Sequence, residues 1–416
     1  MSTSPHFLSG RHIVVAGAGI AGLSFAVALR KLWPTDVPPP RITIFDRDSK
    51  HDALGREGYS LSLAGSNNTG GLVALKDLGV LDRILSHAIL SADKTGAFRL
   101  WDADWSEILS VRLHPAPGLP TSGIRIARKH LRETLVEAVA DEIQWGAACV
   151  SATKLEDAKM LVQVSRSDGS QLSAVECDLL VVADGANSKI RAGLRPDDVL
   201  RYAGAVQIAG LARFTGGIPA PLDKSWGQQL SDGRGVACFY SPVDQQSVVW
   251  ALSFLEPTAR ARTKTSDSQE GESLVQEALT RGHVLGELFQ TIVSSATNPR
   301  DVFCLPARDK KPFRHDPELG PVVFIGDSNH AVSPFAGYGA NLALKDGWDL
   351  AQKLTAATSV KDAVREYDAV SFPRAVDILK TSRSRIKWGH STGWMFSLWR
   401  GFMKCMGYIL WLTGRA

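Results

Sequence analysis

Three glycines, Gly17, Gly19 and Gly22, stand at GxGxxG spacing, where backbone N–H groups can cradle a pyrophosphate. Gly17 allows a tight turn, Gly19 lets the phosphates approach the main chain, and Gly22 lets the next helix pack closely on the preceding strand. Asp46 closes a second apolar run, where a carboxylate accepts hydrogen bonds from an adenosine ribose. Arg47 beside it keeps a 2′-phosphate in play, so this stretch alone leaves NAD, NADP and FAD open. Two more acids stand beside glycines at the ends of apolar runs: Asp184-Gly185 and Gly326-Asp327. A carboxylate there can accept from ribose or ribityl hydroxyls, although Asp184-Gly185 taken alone also reads as a plain tight turn. Arg128 lies in a first helical turn, where its charge opposes the helix dipole and a phosphate partner would explain it. His330 reads as a structural histidine because no acid partner is visible. No catalytic triad or metal-ligand set is evident, and no catalytic residue is assigned.

These residues need a scaffold, and the patterning supplies one. Residues 12–46 read as strand, glycine turn, alanine-rich helix and second strand. Residues 59–63 alternate like a short strand, 72–85 show helical spacing, and 96–105 with 107–112 look like a hairpin carrying tryptophans. Residues 124–139 read as a helix with Arg125 and Arg128 at its entry. A polar meander over 150–172 turns at 167–170 and leads to the apolar strand before Asp184. Residues 202–254 form the largest antiparallel block. A charged insert at 260–272 reads as a mobile loop, 274–289 as a helix and 302–306 as a short strand. The strand 321–325, a glycine-rich loop at 334–341, a helix over 342–354 and further helices over 360–387 follow.

With 416 residues, 44% hydrophobic and 22% charged, the chain has the composition of an ordinary globular protein. A net charge of +4 without any Lys/Arg block argues against nucleic acid as a partner. Cys149, Cys177, Cys238, Cys304 and Cys405 form no CxxC pair and are odd in number, which fits a reducing compartment. No charged segment followed by a long apolar run opens the chain, so a cytoplasmic location is expected.

GAGIAG near the start, the arginine at 128, LLVVADGANSKIR and VVFIGDSNHAVSPFAGYGANLALKDGWDLA together resemble the class A flavoprotein monooxygenases, the family of p-hydroxybenzoate hydroxylase, salicylate hydroxylase and the tetracycline-inactivating enzymes. The resemblance runs over residues 10 to 355. It implies an α/β fold, a Rossmann-like FAD-binding domain interleaved with an antiparallel-sheet substrate domain, plus C-terminal helices. The implied division is 10–95 with 120–198 and 301–357 for FAD, 96–119 with 199–300 for substrate, and 358–416 for the helical region. Arg128 would reach the flavin cofactor, Asp184 and Gly185 the pyrophosphate region and nicotinamide donor, and Gly326 with Asp327 the ribityl and pyrophosphate portion of FAD. Backbone N–H groups of Gly337, Gly339, Ala340 and Asn341 would face the flavin N1 and O2 edge, where the reduced ring is negative. The family usually has Glu where Asp46 stands and Gln or a similar residue where Tyr338 stands, so Tyr338 either touches the ring or packs. Arg56 falls near the mobile flavin. The implied cycle has NADPH or NADH reduce FAD, O2 add at C4a, and the hydroperoxide pass one oxygen to a substrate carbon.

The expected substrate is a hydrophobic aromatic or polycyclic small molecule, with secondary metabolism as the setting. Trp101, Trp226, Phe239 and Tyr240 are candidate pocket walls, with sheet packing as the alternative for each. Residues 394–412 are apolar but interrupted by Arg400 and Lys404, and Ser397, Arg400, Lys404 and Tyr408 fall on one helical stripe. Docking on the protein body and peripheral membrane contact both fit this pattern, and a true span fits less well. A halogenase or reductase on the same scaffold, a nicotinamide dehydrogenase and a non-enzymatic membrane-bound flavoprotein are the competing readings. The single GxGxxG and the absence of WxWxIP weigh against a second dinucleotide domain and a halogenase.

Overall fold

A computed structural model describes residues 6–55, 60–91, 98–111, 113–166, 172–264, 268–294 and 297–412. Arg56, Gly58, Tyr59, Gly96, Arg112 and the turn at 167–170 lie outside the described residues. The β-branched and leucine-rich runs form a five-stranded parallel sheet in the order Val322–Phe324, Leu179–Val182, His12–Ala16, Arg41–Asp46 and Ile143–Trp145. The inner strands His12–Ala16 and Leu179–Val182 are buried at every residue, as expected of strands covered on both faces. The helix Ile20–Leu32 covers one face and crosses Gly339–Ala356 so tightly that a Cβ on Gly347 would lie 2.5 Å from the Phe25 nitrogen. The meander Ala147–Lys154, Met160–Arg166 and Leu172–Cys177 packs on the other face through Cys149, Met160, Val162 and Val164.

An eight-stranded sheet forms the second layer, in the order Thr263–Lys264, Phe303–Asp309, Arg201–Arg213, Ser247–Leu255, Val236–Pro242, Trp226–Leu230, Phe98–Trp101 and Glu107–Val111. Its neighbours are antiparallel except Trp226–Leu230 with Phe98–Trp101, which run parallel. Between the two layers lies a small sheet of Ser60–Ala64, Gly123–Ala127 and Ala88–Ser91. Residues 123–127 are therefore a strand, and the helix expected from 124 starts only at Arg128 (Arg128–Ala138). Arg125 alternates with the core residues Ile124 and Ile126, a period of two that the neighbouring helical spacing hides in the sequence.

The described parts of the charged insert, on either side of residues 265–267, are held in place. Arg260 bonds Glu256 at 2.6 Å and Glu277 at 2.8 Å, and a helix runs from Ser268 to Arg281. The helix expected over 274–289 is broken at Gly282, with the second piece at Gly286–Ser294. The C-terminal region is one long helix, Val360–Gly389, with Pro373 inside it, and a second, Gly393–Leu412. All five cysteines are free, and all but Cys405 are buried. No described helix is long and apolar enough to cross a membrane.

Candidate active site

Three adjacent strands of the parallel sheet, at and next to one edge, end level. Ala16 pairs with Val182 and Val182 with Phe324, so Gly17, Asp184 and Gly326 leave the sheet side by side at its C-terminal edge, where open α/β sheets hold their ligands. The fit is close. A Cβ on Gly17 would sit 2.5 Å from the Ala183 oxygen, and Gly17 has φ +109°, so both space and conformation require glycine there. A Cβ on Gly22 would sit 2.2 Å from the Gly17 oxygen, and one on Gly326 3.0 Å from the Ala21 Cβ. By contrast, the space around Gly185, Gly337 and Gly339 is open.

Asp46 is buried against the turn. One oxygen accepts from the Ala18 N–H at 2.8 Å and from Arg132 Nη2 at 3.1 Å, and the other accepts from the Asp48 N–H at 2.9 Å. Three donors on a carboxylate with about four acceptor positions leave one free. Arg132, four residues after Arg128, also donates from Nε to the Ala18 oxygen at 3.0 Å, so it clamps turn and acid together. The RKHLR spacing was the available signal for it; one helical turn separates the two arginines.

Arg128 itself opens its helix and makes no hydrogen bond or ion pair with a described residue, while its charge lowers the Asp327 pKa. Asp327 is accessible to solvent, yet the surrounding protein raises its pKa, with His330, Arg128 and Arg191 pulling it down. Asp184 behaves similarly. Burial raises it to about 6 against the Ser188 hydroxyl and Arg191, and its Oδ1 has no partner. Arg191 joins the two acidic loops, donating to the Ser328 oxygen at 2.9 Å and the Ala186 oxygen at 2.6 Å.

His330 has an acid partner after all, and the expectation of none is corrected. Its Nε2 lies 2.5 Å from Asp346 Oδ2, and both residues are buried. Asp346 also accepts from the Gly326 N–H at 2.8 Å, Ser371 Oγ at 2.9 Å and Arg374 Nη2 at 3.0 Å. Burial alone would raise its pKa; His330, Arg374 and the Gly326 N–H outweigh burial and hold it below the ordinary Asp range. This pair is sixteen residues apart, a separation no local spacing rule picks out.

The helix expected from 342 begins at Gly339, and no side chain caps its first turn. Asn341 is fully buried and works through its side chain. Oδ1 accepts from the Ala64 and Gly71 N–H groups at 2.8 Å, and Nδ2 donates to the Ser62 oxygen at 2.9 Å. Tyr338 is half-buried, and burial raises its pKa while the nearby Asn67 and Thr69 side chains pull it down. Of the expected walls, Trp101 and Tyr240 are excluded: they pack in the core on the far face of the eight-stranded sheet with Trp250 and Phe289. Phe239, alternating with Tyr240, lies on the near face, half-buried over Arg125. Trp226 is buried outside that far-face core.

An orphaned carboxylate oxygen, an unpaired arginine, an uncapped helix start and glycines facing open space fit an anionic dinucleotide bearing hydroxyls. Residues 11–382 match the family described as FAD binding domain. The monooxygenase cfoF of Aspergillus candidus is 44% identical over 395 residues, covering 94% of each chain. The 3-amino-4-hydroxybenzoate 2-monooxygenase of Streptomyces cremeus is 27% identical over 89% of this chain and 86% of its own. In fold the chain is similar to Klebsiella pneumoniae HpxO complexed with FAD and uric acid (TM-score 0.74, 21% identity, 96% and 94% covered) and to a salicylate hydroxylase substrate complex (0.69, 20%, 96% of each). The chain belongs to the FAD binding domain family and is a class A FAD-dependent monooxygenase that uses NAD(P)H and O2 on a small molecule.

Proposed function

We propose that this enzyme hydroxylates or epoxidises a hydrophobic aromatic or polycyclic small molecule in secondary metabolism. The observation that supports the reading is that Gly17, Asp184 and Gly326 leave the parallel sheet side by side while the charge of Arg128 acts on Asp327. The names of cfoF and the aminohydroxybenzoate enzyme support the reaction and an aromatic substrate. Bound FAD supplies the transfer of electrons from NAD(P)H to O2. In this reading Gly17, Gly19, Gly22 and the start of Ile20–Leu32 hold the pyrophosphate, and the remaining acceptor of Asp46 holds a ribose hydroxyl. Asp184, Gly185, Gly326 and Asp327 hold the ribityl and pyrophosphate stretch, and Arg128 neutralises phosphate. The first-turn N–H groups of Gly339, Ala340 and Asn341, after the Gly337 turn, offset negative charge on the ring. The domain division at 10–95, 120–198 and 301–357 against 96–119 and 199–300, with 358–416 apart, remains part of this reading, although Phe303–Asp309 from its FAD part pairs with Arg201–Arg213 in the eight-stranded sheet.

Membrane contact through 394–412 forms part of the proposal, from a cytoplasmic location that the free cysteines support. The helix Gly393–Leu412 docks by Phe396, Trp399 and Met403, and Arg400 turns inward to Asp102 at 2.8 Å, so Arg400 leaves the polar stripe expected of it. The outward side carries Trp394 (74% exposed), Leu398 (66%), Phe402, Ile409 and Leu412, flanked by Lys404 and Tyr408. Residues 378–416 contain no Asp or Glu, and besides Arg383 and Arg400, which pair with Asp309 and Asp102, they carry Lys380, Arg385, Lys387, Lys404 and Arg415, which supports an anionic lipid surface.

The test is to purify the protein, record its absorbance spectrum, and screen aromatic compounds for stimulated NADPH oxidation with product mass. A product heavier by one oxygen atom is expected. Asp327→Ala should lose the yellow colour; a variant with its full complement of flavin would overturn the placement of the site.

A further inference from the structure

The protein buries cations sparingly and gives them acids. Arg132 holds Asp46 at 3.1 Å, Lys310 holds Asp198 at 3.0 Å, and Lys345 holds Asp349 at 2.9 Å. Arg374 lies on Asp346 and Asp349, and Arg191 feels Asp198, Asp184 and Asp327. Arg125 differs. It is 4% exposed and meets no carboxylate among the described residues. Its donors go to neutral groups: Nη1 to Ser62 Oγ at 2.5 Å, and Nη2 to Ser60 Oγ at 2.6 Å and the Ser60 oxygen at 2.8 Å. Nε has no partner. Burial is the sole influence on its pKa, lowering it to about 9, so it stays charged at neutral pH.

Its position is as informative as its charge. Arg125 projects from the middle strand of the small sheet toward the eight-stranded sheet, on the face opposite the core residues Ile124 and Ile126. Its guanidinium carbon lies 5.8 Å from the centre of the half-buried Phe239 ring. Ser60 Oγ bridges to Ser241 Oγ at 2.6 Å on the same strand as Phe239. Ser62 is half-buried, and its carbonyl takes the Asn341 side chain from the first turn of Gly339–Ala356. The cluster therefore stands in the seam between the two layers, one hydrogen bond from the helix start read above as facing the flavin ring. A buried guanidinium without a counter-charge is costly, and two serine hydroxyls would be cross-linked as well by a neutral amide.

We propose that Arg125 is the anion-recognition residue of the substrate site, binding a carboxylate or phenolate oxygen of the aromatic substrate, which brings the counter-charge that no described carboxylate supplies. This rests on the monooxygenase reading and narrows its substrate to aromatics carrying an acidic oxygen. The planar fork of Arg125 suits such an oxygen, and the rotatable hydroxyl of Ser62 adds a donor beside it, whereas Ser60 Oγ already donates to the Pro242 oxygen at 2.9 Å.

The experiment titrates FAD-loaded enzyme with benzoate and 2-naphthoate against benzamide and 2-naphthamide, following the absorbance of the bound flavin. The wild type should bind each acid about tenfold to a hundredfold more tightly than its amide. Arg125→Gln should abolish that preference with its flavin content unchanged, and Arg125→Lys should keep part of it. Equal binding of acid and amide by the wild type, binding of neither, or a preference that survives Arg125→Gln each overturns the proposal. A fall in flavin midpoint potential in Arg125→Gln with the acid preference intact overturns it too, assigning the counter-charge to the reduced flavin. Should Arg125→Gln fail to fold, Arg125→Lys decides: folded with residual preference supports recognition, and folded without any preference overturns it. A wild type that takes up no FAD defeats the underlying monooxygenase reading instead, a result distinct from all of these.

Discussion

Asp184→Asn should make the cofactor-free protein more stable while weakening its hold on FAD. Burial raises this carboxyl from the ordinary Asp value of 3.8 to about 6, and Oδ1 has no partner. A folded-state pKa above the unfolded value means the native protein binds the proton more tightly, so this group's contribution falls as pH rises from about 4 to about 6 and stays constant above. A shift of about two units corresponds to ~3 kcal/mol at neutral pH. The amide still leaves one polar atom unpaired in the same spot, which reduces the expected gain to ~2 kcal/mol. Urea unfolding of the flavin-free protein between pH 4.5 and 8 would measure it. The two proteins should converge at the acid end and separate through pH 6, and a flavin fluorescence titration should show weaker binding by the variant. An Asp184→Asn protein that is less stable than wild type at pH 8 would refute the reasoning, because the carboxylate would then be serving the fold.

Gly17→Ala should cost at least ~2 kcal/mol in thermal unfolding and leave the protein without flavin, since φ +109° and the Ala183 oxygen at 2.5 Å both oppose a side chain. Arg132→Met strands the buried Asp46 and should lower stability by ~3–5 kcal/mol in urea. Asp346 is held below the ordinary Asp range, so its contribution is present above the unfolded pKa and disappears as pH falls below about 4 toward the folded value; Asp346→Asn should flatten that acid limb of a stability–pH curve. Replacing Leu398 and Phe402 by Glu should release the protein from phosphatidylserine-containing vesicles in a sedimentation assay while flavin content stays unchanged.

Legibility in the sequence followed how local the determining interactions are. The strand before Gly17 and those before Asp184 and Gly326 are continuous apolar runs, so their presence and their ends could be read directly. The Gly123–Ala127 strand was missed because its five residues merge into the helical spacing of Leu131, Leu135 and Val136. Trp101 and Tyr240 could not be separated from Phe239 without knowing which face of the sheet meets the cleft, and a strand's alternation alone does not say. The Asp46–Arg132 and His330–Asp346 pairs depend on elements meeting in space, and nothing in their spacing announces them. Arg260 reads in sequence as part of a polar insert because its partners Glu256 and Glu277 lie outside it, four residues before and seventeen after.

The order in which the parallel sheet is woven has a consequence for synthesis. Its central strand is made first, at His12–Ala16, its neighbour at Leu179–Val182, and its far edge only at Val322–Phe324, while Asp346, which fixes the Gly326 turn, comes later still. A ribosome must therefore deliver more than three quarters of the polypeptide before the first glycine turn meets the last of its companions. In the proposed site flavin capture then becomes a closing event of biogenesis, and chains released early would expose unfinished apolar edges to chaperones and proteases.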